Sequence, residues 1–240
     1  YSVIPYQGKW TAEMSQWERF IDTFFNRSVI VQYLPDIFKG IWITLELSVL
    51  IVIFGILLGC ILAVLRVYKI RAISFCIIVF ADIFRALPPL VLILIVFFGL
   101  PNAGIFLSSF LVLFVVLTLV LAAFSEEILW AGLTSVDSGQ WEAARSSGLS
   151  LNQALIWIIL QQAFRLAIPP LTNRAIAITK MTALGTVIGV PDILNQATTA
   201  QSFSGNASPL MVAAIAYVII FLPLVIASRR LEYKFSWKKA

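Results

Sequence analysis

"GQWEAARSSGLSLNQ", residues 139–153, interrupts a chain whose flanking segments are built of Leu, Ile, Val and Phe. Its local chemistry is that of two short helices and a break. Residues 142–147 are good helix formers with an acid, Glu142, in the first turn, and Gly148 suits the left-handed position after a helix. Ser150 and Gln153 form an S-x-x-Q capping box for the next helix. Small side chains at Ala143, Ala144, Ser146 and Ser147 leave a surface that another backbone can approach closely. A chain that only turned around would do so in about four to six loosely ordered residues. A capped elbow therefore reads as a docking element, with a partnerless surface helix as the other reading.

The surroundings of this stretch belong in a bilayer. Hydrophobic residues make up 60% of the 240 and charged residues 12%, with a mean hydropathy of +0.96; soluble domains average about 45–50% apolar and about 25% charged. The net charge of +5 then reports basic residues at one membrane face, not nucleic-acid binding. The chain has no histidine, which excludes Ser-His-Asp chemistry and His-ligated metals within it. Cys60 and Cys76 sit in apolar runs and read as small hydrophobes. The start at Tyr1 lacks both Met and a signal-peptide pattern and reads as trimmed.

A helix needs about 20 mainly apolar residues to cross a core of ~30 Å. Runs at 41–67, 73–100, 106–126, 155–179 and 209–227 satisfy this, the fourth most weakly because Gln161, Gln162, Arg165 and Arg174 interrupt it. Arg66, Lys69 and Arg71 follow the first run, Arg145 the third, and Arg229, Arg230, Lys234, Lys238 and Lys239 the fifth, whereas the loops after the second and fourth (101–104 and 181–208) hold no Lys or Arg. The positive-inside rule places the N-terminus outside and the C-terminus in the cytoplasm. Residues 139–153 then fall in the only sizeable cytoplasmic loop. Before the first run, "WERFIDTFF" (residues 17–25) reads as an amphipathic helix at the outer interface or as a leader packed on the bundle.

The loop resembles the EAA motif of permease subunits of ATP-binding-cassette importers: Glu-Ala-Ala, three residues, Gly, nine residues, then Ile-x-Leu-Pro. Glu142, Ala143, Ala144, Gly148, Ile158 and Leu160 match, while Gln161 replaces the Pro and Pro169 and Pro170 come later. From residue 34 onward the chain is similar to the polar amino acid subfamily of these permeases. That similarity is carried by "GIWITLELS" (40–48), "FRALPPLV" (84–91), "FFGLP" (97–101), "GQWEAARSSGLS" (139–150) and "TALGTVIGVPDIL" (182–194), in this order.

The resemblance implies an all-α fold, a polytopic membrane bundle of about five transmembrane helices of the type I importer permease kind. Residues 1–40 are expected as an N-terminal interfacial or periplasmic segment, and residues 41–240 as the permease domain, with a cytoplasmic coupling helix at about 139–150. The implied setting is the bacterial inner membrane. The implied partners are two ATPase subunits, a second permease subunit, identical or paralogous, and an extracytoplasmic solute-binding protein. Glu142 contacts an ATPase or caps the helix, and Gly148 permits its sharp turn. No G-x-x-x-x-G-K-[ST] loop occurs, so ATP and Mg belong to those partners and this chain is expected to hold no cofactor and catalyse nothing.

Ionisable residues at membrane depth face the bundle interior or an aqueous path. Asp82 and Arg85 stand i,i+3 just before Pro88 and Pro89, which remove backbone donors and are expected to kink or open the helix. Either the pair meets an amino acid zwitterion or its members neutralise each other to hold the fold. Glu46, Lys180 and Thr182 are further candidates for a substrate path; Glu126 and Glu127 are expected near the cytoplasmic interface, and Lys180 near the outer mouth. Residues 191–208 read as an outer loop with some re-entrant character. The subfamily has Gly-Thr where Ala86-Leu87 precede Pro88, Arg at Trp130 and Asp or Asn at Met181. These losses of polarity fit an atypical solute, or a subunit whose partner binds the ligand. The rival reading is an ATP-independent channel or scaffold that binds another cytosolic protein.

Overall fold

The computed structural model describes residues 15–235; residues 1–14 of the expected N-terminal segment, and Lys238 and Lys239 of the basic C-terminus, lie outside them. Helix α1 (Gln16–Phe25) opens with a capping box in which Ser15 and Glu18 satisfy each other's backbone N–H groups. After Asn26 comes α2 (Arg27–Val67), followed by α3 (Arg71–Ala86) and α4 (Pro89–Gly99). The long α5 (Ser109–Thr134) leads to α6 (Ser138–Ser146), and α7 (Leu151–Ala154) runs through a π turn (Leu155–Ile159) into α8 (Leu160–Lys180). A 3-10 stretch (Met181–Ile188), α9 (Ile193–Ser204) and α10 (Ser208–Phe235) complete the bundle.

Helix α5 is the centre of the packing. Leu113, Leu117, Val120, Leu121 and Ala122 along it are fully buried, and its main partner is α2. In lipid the hydrophobic effect gives helices little reason to associate, so tight contact depends on small residues that let backbones close up. Gly55 and Gly59 of α2 supply it: a Cβ on Gly59 would lie 2.4 Å from the Ser125 Cβ and 2.8 Å from the Ala122 carbonyl oxygen. Outward faces are apolar instead of polar, with Trp42, Ile53, Phe75, Phe98 and Ile219 all exposed, the pattern expected where the solvent is hydrocarbon.

Among the described residues four helices are long and apolar enough to span a membrane, and a fifth span results if α3 and the segment Pro89–Ala103, bent by 103°, count as one. The bend falls at Leu87 and Pro88, where a missing N–H and steric exclusion of the preceding residue from helical geometry end α3.

Several expectations need correction. The division at residue 40 is no structural break, because α2 runs through it from Arg27; Pro35, Asp36 and Lys39 diluted the apolar signal, yet Ile37 and Gly40 are buried against α9. Helix α5 extends to Thr134, so Glu126 and Glu127 stand about two turns inside it and not at its end. Residues 181–204 are not a loop but largely helical, with Asp192 capping α9 at Asn195 N–H and Gly205 ending it in the left-handed region. Because that segment still has bundle height to cover, Lys180 is not near a mouth. Its ammonium lies 5.8 Å from the ring of Phe221, halfway along α10.

Replacing Gly59 with Leu is expected to lower the thermal unfolding midpoint of the purified protein, the strain being about 1–3 kcal/mol or more, while Gly99→Ala, which meets nothing within 4 Å, leaves it unchanged. Equal midpoints for Gly59→Leu and the parent would show that the α2–α5 contact is not this tight.

Candidate functional site

The polar stretch folds as its residues dictate. Asp137, not foreseen as a cap, accepts from Gly139 N–H at 2.7 Å and starts α6. At the other end Gly148 takes φ +84°, with Gly148 N–H donating to the Arg145 carbonyl at 3.0 Å and Leu149 N–H to the Ala144 carbonyl at 3.2 Å. This pair of bonds is a Schellman stop, which needs a left-handed residue at the glycine position. Ser150 and Gln153 then cap α7 reciprocally, as the spacing required.

These caps hold α6 at a fixed angle to α5 and α8. Ala144 is buried and Trp141 packs into a cluster with Leu133, Leu155 and Ile159. Gln162 Nε2 donates to Gln140 Oε1 at 3.2 Å, linking α8 to α6. Opposite that anchored face, Glu142, Ala143, Ser146 and Ser147 are exposed, and Glu142 has no hydrogen-bond or ion-pair partner among the described residues. The four residues of the motif thus divide: Ala144 anchors, Gly148 terminates, and Glu142 with Ala143 faces outward.

Two ion pairs tie α5 to its neighbours. Arg66, at the end of α2, donates to Glu126 Oε1 at 2.6 Å, and their side chains are 12% and 0% exposed. The guanidinium also lies 4.1 Å from the centre of the Trp130 ring, a cation–π contact strengthened by low polarity. Arg85 donates to Glu127 Oε2 at 2.7 Å, whereas Asp82 Oδ1 is 3.8 Å away. The expected local pairing of Asp82 with Arg85 is therefore the weaker one, since Glu127 reaches the same guanidinium from across the helix interface. Sequence reasoning missed the Arg66–Glu126 pair, although a cation closing one expected span and acids closing another at the same membrane face were a usable signal.

The remaining candidates are scattered. Glu46 is exposed on α2 with no hydrogen-bond or ion-pair partner among the described residues. Thr182 is fully buried and its hydroxyl donates to the Thr179 carbonyl at 2.9 Å, so it faces no open surface. Lys180 is exposed at the edge of an open groove floored by Tyr217, Phe221 and Val225. Asp192, also unforeseen as a pairing centre, is buried and accepts from Thr186 Oγ1 at 3.1 Å and Tyr217 Oη at 3.3 Å. Among the described residues no cluster of three His, Cys, Asp or Glu side chains is placed to hold a metal ion.

Comparison with known proteins bears on what this architecture is. The profile described as "Binding-protein-dependent transport system inner membrane component" matches residues 55–237. The probable glutamine ABC transporter permease protein GlnP of Bacillus subtilis (strain 168) is 35% identical over 207 residues, covering 85% of this chain and 95% of that protein. The arginine transport system permease protein ArtQ of the same organism is 32% identical over 209 residues, covering 86% and 95%. A solved structure described as an amino acid ABC transporter with histidines aligns with a TM-score of 0.78 at 30% identity over 85% of this chain and 96% of that one. The MetNI methionine ABC transporter in an inward-facing conformation aligns with a TM-score of 0.68 at 19% identity, a likeness of fold. The chain therefore belongs to the family of binding-protein-dependent transport system inner membrane components, multi-pass and non-catalytic, whose ATP is hydrolysed by separate subunits.

Proposed function

We propose that this chain forms the translocation path of an ATP-driven importer for an amino acid or a similar small polar solute. It pairs with a second permease subunit, identical or paralogous, above two ATPase subunits and below a solute-binding protein. The named substrates of GlnP and ArtQ and the amino acid transporter structure support the substrate class. The orientation, N-terminus outside and C-terminus in the cytoplasm, is supported by Arg145 of α6 and by Arg229, Arg230 and Lys234 of α10. On that orientation α1 lies at the outer interface and α6 projects into the cytoplasm. Nothing in the bundle favours an ATP-independent channel or scaffold.

The observation that carries the coupling role is the division of α6 into a buried and an open face. Buried Ala144, Trp141 in the cluster with Leu133 and Leu155, and the Gln162–Gln140 bond anchor one face, while exposed Ala143, Ser146 and Ser147 offer a small-residue surface beside Glu142 to a protein groove. ATP and Mg bind in the ATPase subunits. Their closure moves α6, and the rigid Schellman stop passes that movement to α8 without loss in a flexible loop.

For the solute, Lys180 is the favoured contact of the five original candidates. It is a cation at mid-depth with an open face, no carboxylate partner among the described residues and aromatic neighbours, where an amino acid's carboxylate would replace the missing counter-charge. Arg85, held by Glu127, serves as a tie between α3 and α5 and leaves exposed Asp82 to the aqueous side.

Three measurements follow. Gly148→Val, forced into a region that disfavours a β-branched residue by about 1–2 kcal/mol, is expected to reduce solute uptake at least about tenfold while the assembled complex still hydrolyses ATP; unchanged uptake would count against α6 as the coupling element. Lys180→Met is expected to raise the KM for uptake in proteoliposomes with little change in basal ATP hydrolysis, and Lys180→Arg to retain most uptake; equal KM values for the Met variant and the parent would remove Lys180 from the path. Arg85→Ala is expected to lower uptake and thermal stability together, and Arg85→Ala with Glu127→Gln to recover stability, because the unpaired carboxylate is then gone. A double variant no more stable than the single one would contradict the tie.

A further inference from the structure

Toward the C-terminal end of α10 a groove of about 600 Å³ runs along the helix, with Leu222, Ile226 and Leu231 in its apolar wall and Arg230 and Lys234 at one end. Its orientation is built, not accidental. Asn173 of α8 accepts from Ser228 Oγ at 2.6 Å and donates to the Glu232 carboxylate, which pins residues 228 and 232 against α8. Two residues along a helix is a rotation of about 200°, so Arg230 and Lys234 are turned to the side away from α8. Glu232, the acid nearest to both in sequence, is thereby engaged elsewhere, and neither cation has an ion-pair partner among the described residues.

We infer that this groove binds one anionic phospholipid, its phosphodiester held by Arg230 and Lys234 and an acyl chain laid along Leu222 and Ile226. The distance from Leu222 to Lys234 is about 18 Å of helix, close to the ~15 Å that one leaflet contributes to a ~30 Å core. The polarity changes along the groove in the same order as in a lipid, from apolar at mid-bilayer to cationic at the headgroup level. Arg and Lys together suit a phosphodiester, one through a planar fork of donors and the other as a point charge. All of these lining residues belong to α10, and a cluster of Lys and Arg at the cytoplasmic end of a membrane-spanning helix is a form that anionic headgroup recognition takes. A second copy of the chain fits less well. A two-fold interface sets the same patch against itself, which would bring Arg230 and Lys234 toward their own copies with no acid in the groove to offset them.

The test uses the assembled complex with its ATPase subunits, equilibrated with equal amounts of phosphatidylglycerol and phosphatidylcholine of matched acyl chains and examined by native mass spectrometry. Preferential retention of phosphatidylglycerol, at least about fivefold, is the expected result, with the preference falling to near unity in Arg230→Gln with Lys234→Gln and persisting in Arg229→Gln. Equal retention of the two lipids by the parent complex overturns the inference whether or not the double variant folds. So does a double variant that keeps the preference, or a loss of preference in Arg229→Gln, which would place the headgroup outside the groove. An Ile226→Cys variant, with Cys60 and Cys76 replaced by Ala, is expected to form no disulfide-linked dimer under oxidation in membranes; disulfide-linked dimers would seat protein there and equally overturn it.

Discussion

The close approach of α2 to α5 at Gly59 sets the geometry on which the rest of the bundle depends. With no side chain between Gly59 and Ser125, the two backbones converge enough for Arg66, two turns further along α2, to reach Glu126 and lie against Trp130. Neither charge could remain alone at that burial: removing one partner of such a pair costs about 3–5 kcal/mol, chiefly by stranding the other. The pair therefore specifies how α2 and α5 meet more than it adds to the strength of their contact. A slip of one turn would break it.

Helix α5 then distributes this constraint. Glu127, next to Glu126, fixes α3 through Arg85, just before the chain turns by 103° at Pro88. On another face Gly132 meets the Ala163 backbone of α8, and Phe124 receives the Arg174 guanidinium 3.8 Å from its centre. The end of α5 leads through the Asp137 cap into α6, which returns to α8 through the Schellman stop and the Ser150–Gln153 box. On the proposed reading, force applied to α6 acts on both α5 and α8, which the Gly132–Ala163 approach and the Arg174–Phe124 contact hold together.

Much of this was legible in the residues. Apolar runs located the membrane helices, tandem prolines located the bend, and Gly148 with the Ser150–Gln153 spacing located the elbow, because each signal is local and acts on its own backbone. What the sequence concealed depends on distant parts of the chain. Residues 27–40 looked too polar and too rich in helix breakers to belong to a span, yet burial of Ile37 against α9 carries the helix through Pro35. Lys180 was misplaced because the Thr- and Ser-rich stretch after it resembled a loop, although Asp192 and Gly205 were readable caps for α9. A sequence displays only neighbours within one helix, such as Asp82 and Arg85 at i,i+3, and Glu127 takes the guanidinium by approaching from another helix. Of the path candidates, Thr182 proved to be spent on its own backbone, a fate that a hydroxyl in a tight 3-10 turn shares with many others.

The central claim is that the outward face of α6 is held by a separate ATPase subunit. A photo-crosslinking amino acid at Ala143, tested in the assembled transporter in native membranes, addresses it directly. The account predicts an adduct with the ATPase whose yield changes between nucleotide-free and ATP-bound states. An Ala143 probe that captures only lipid, water or an extracytoplasmic protein in both states would contradict it.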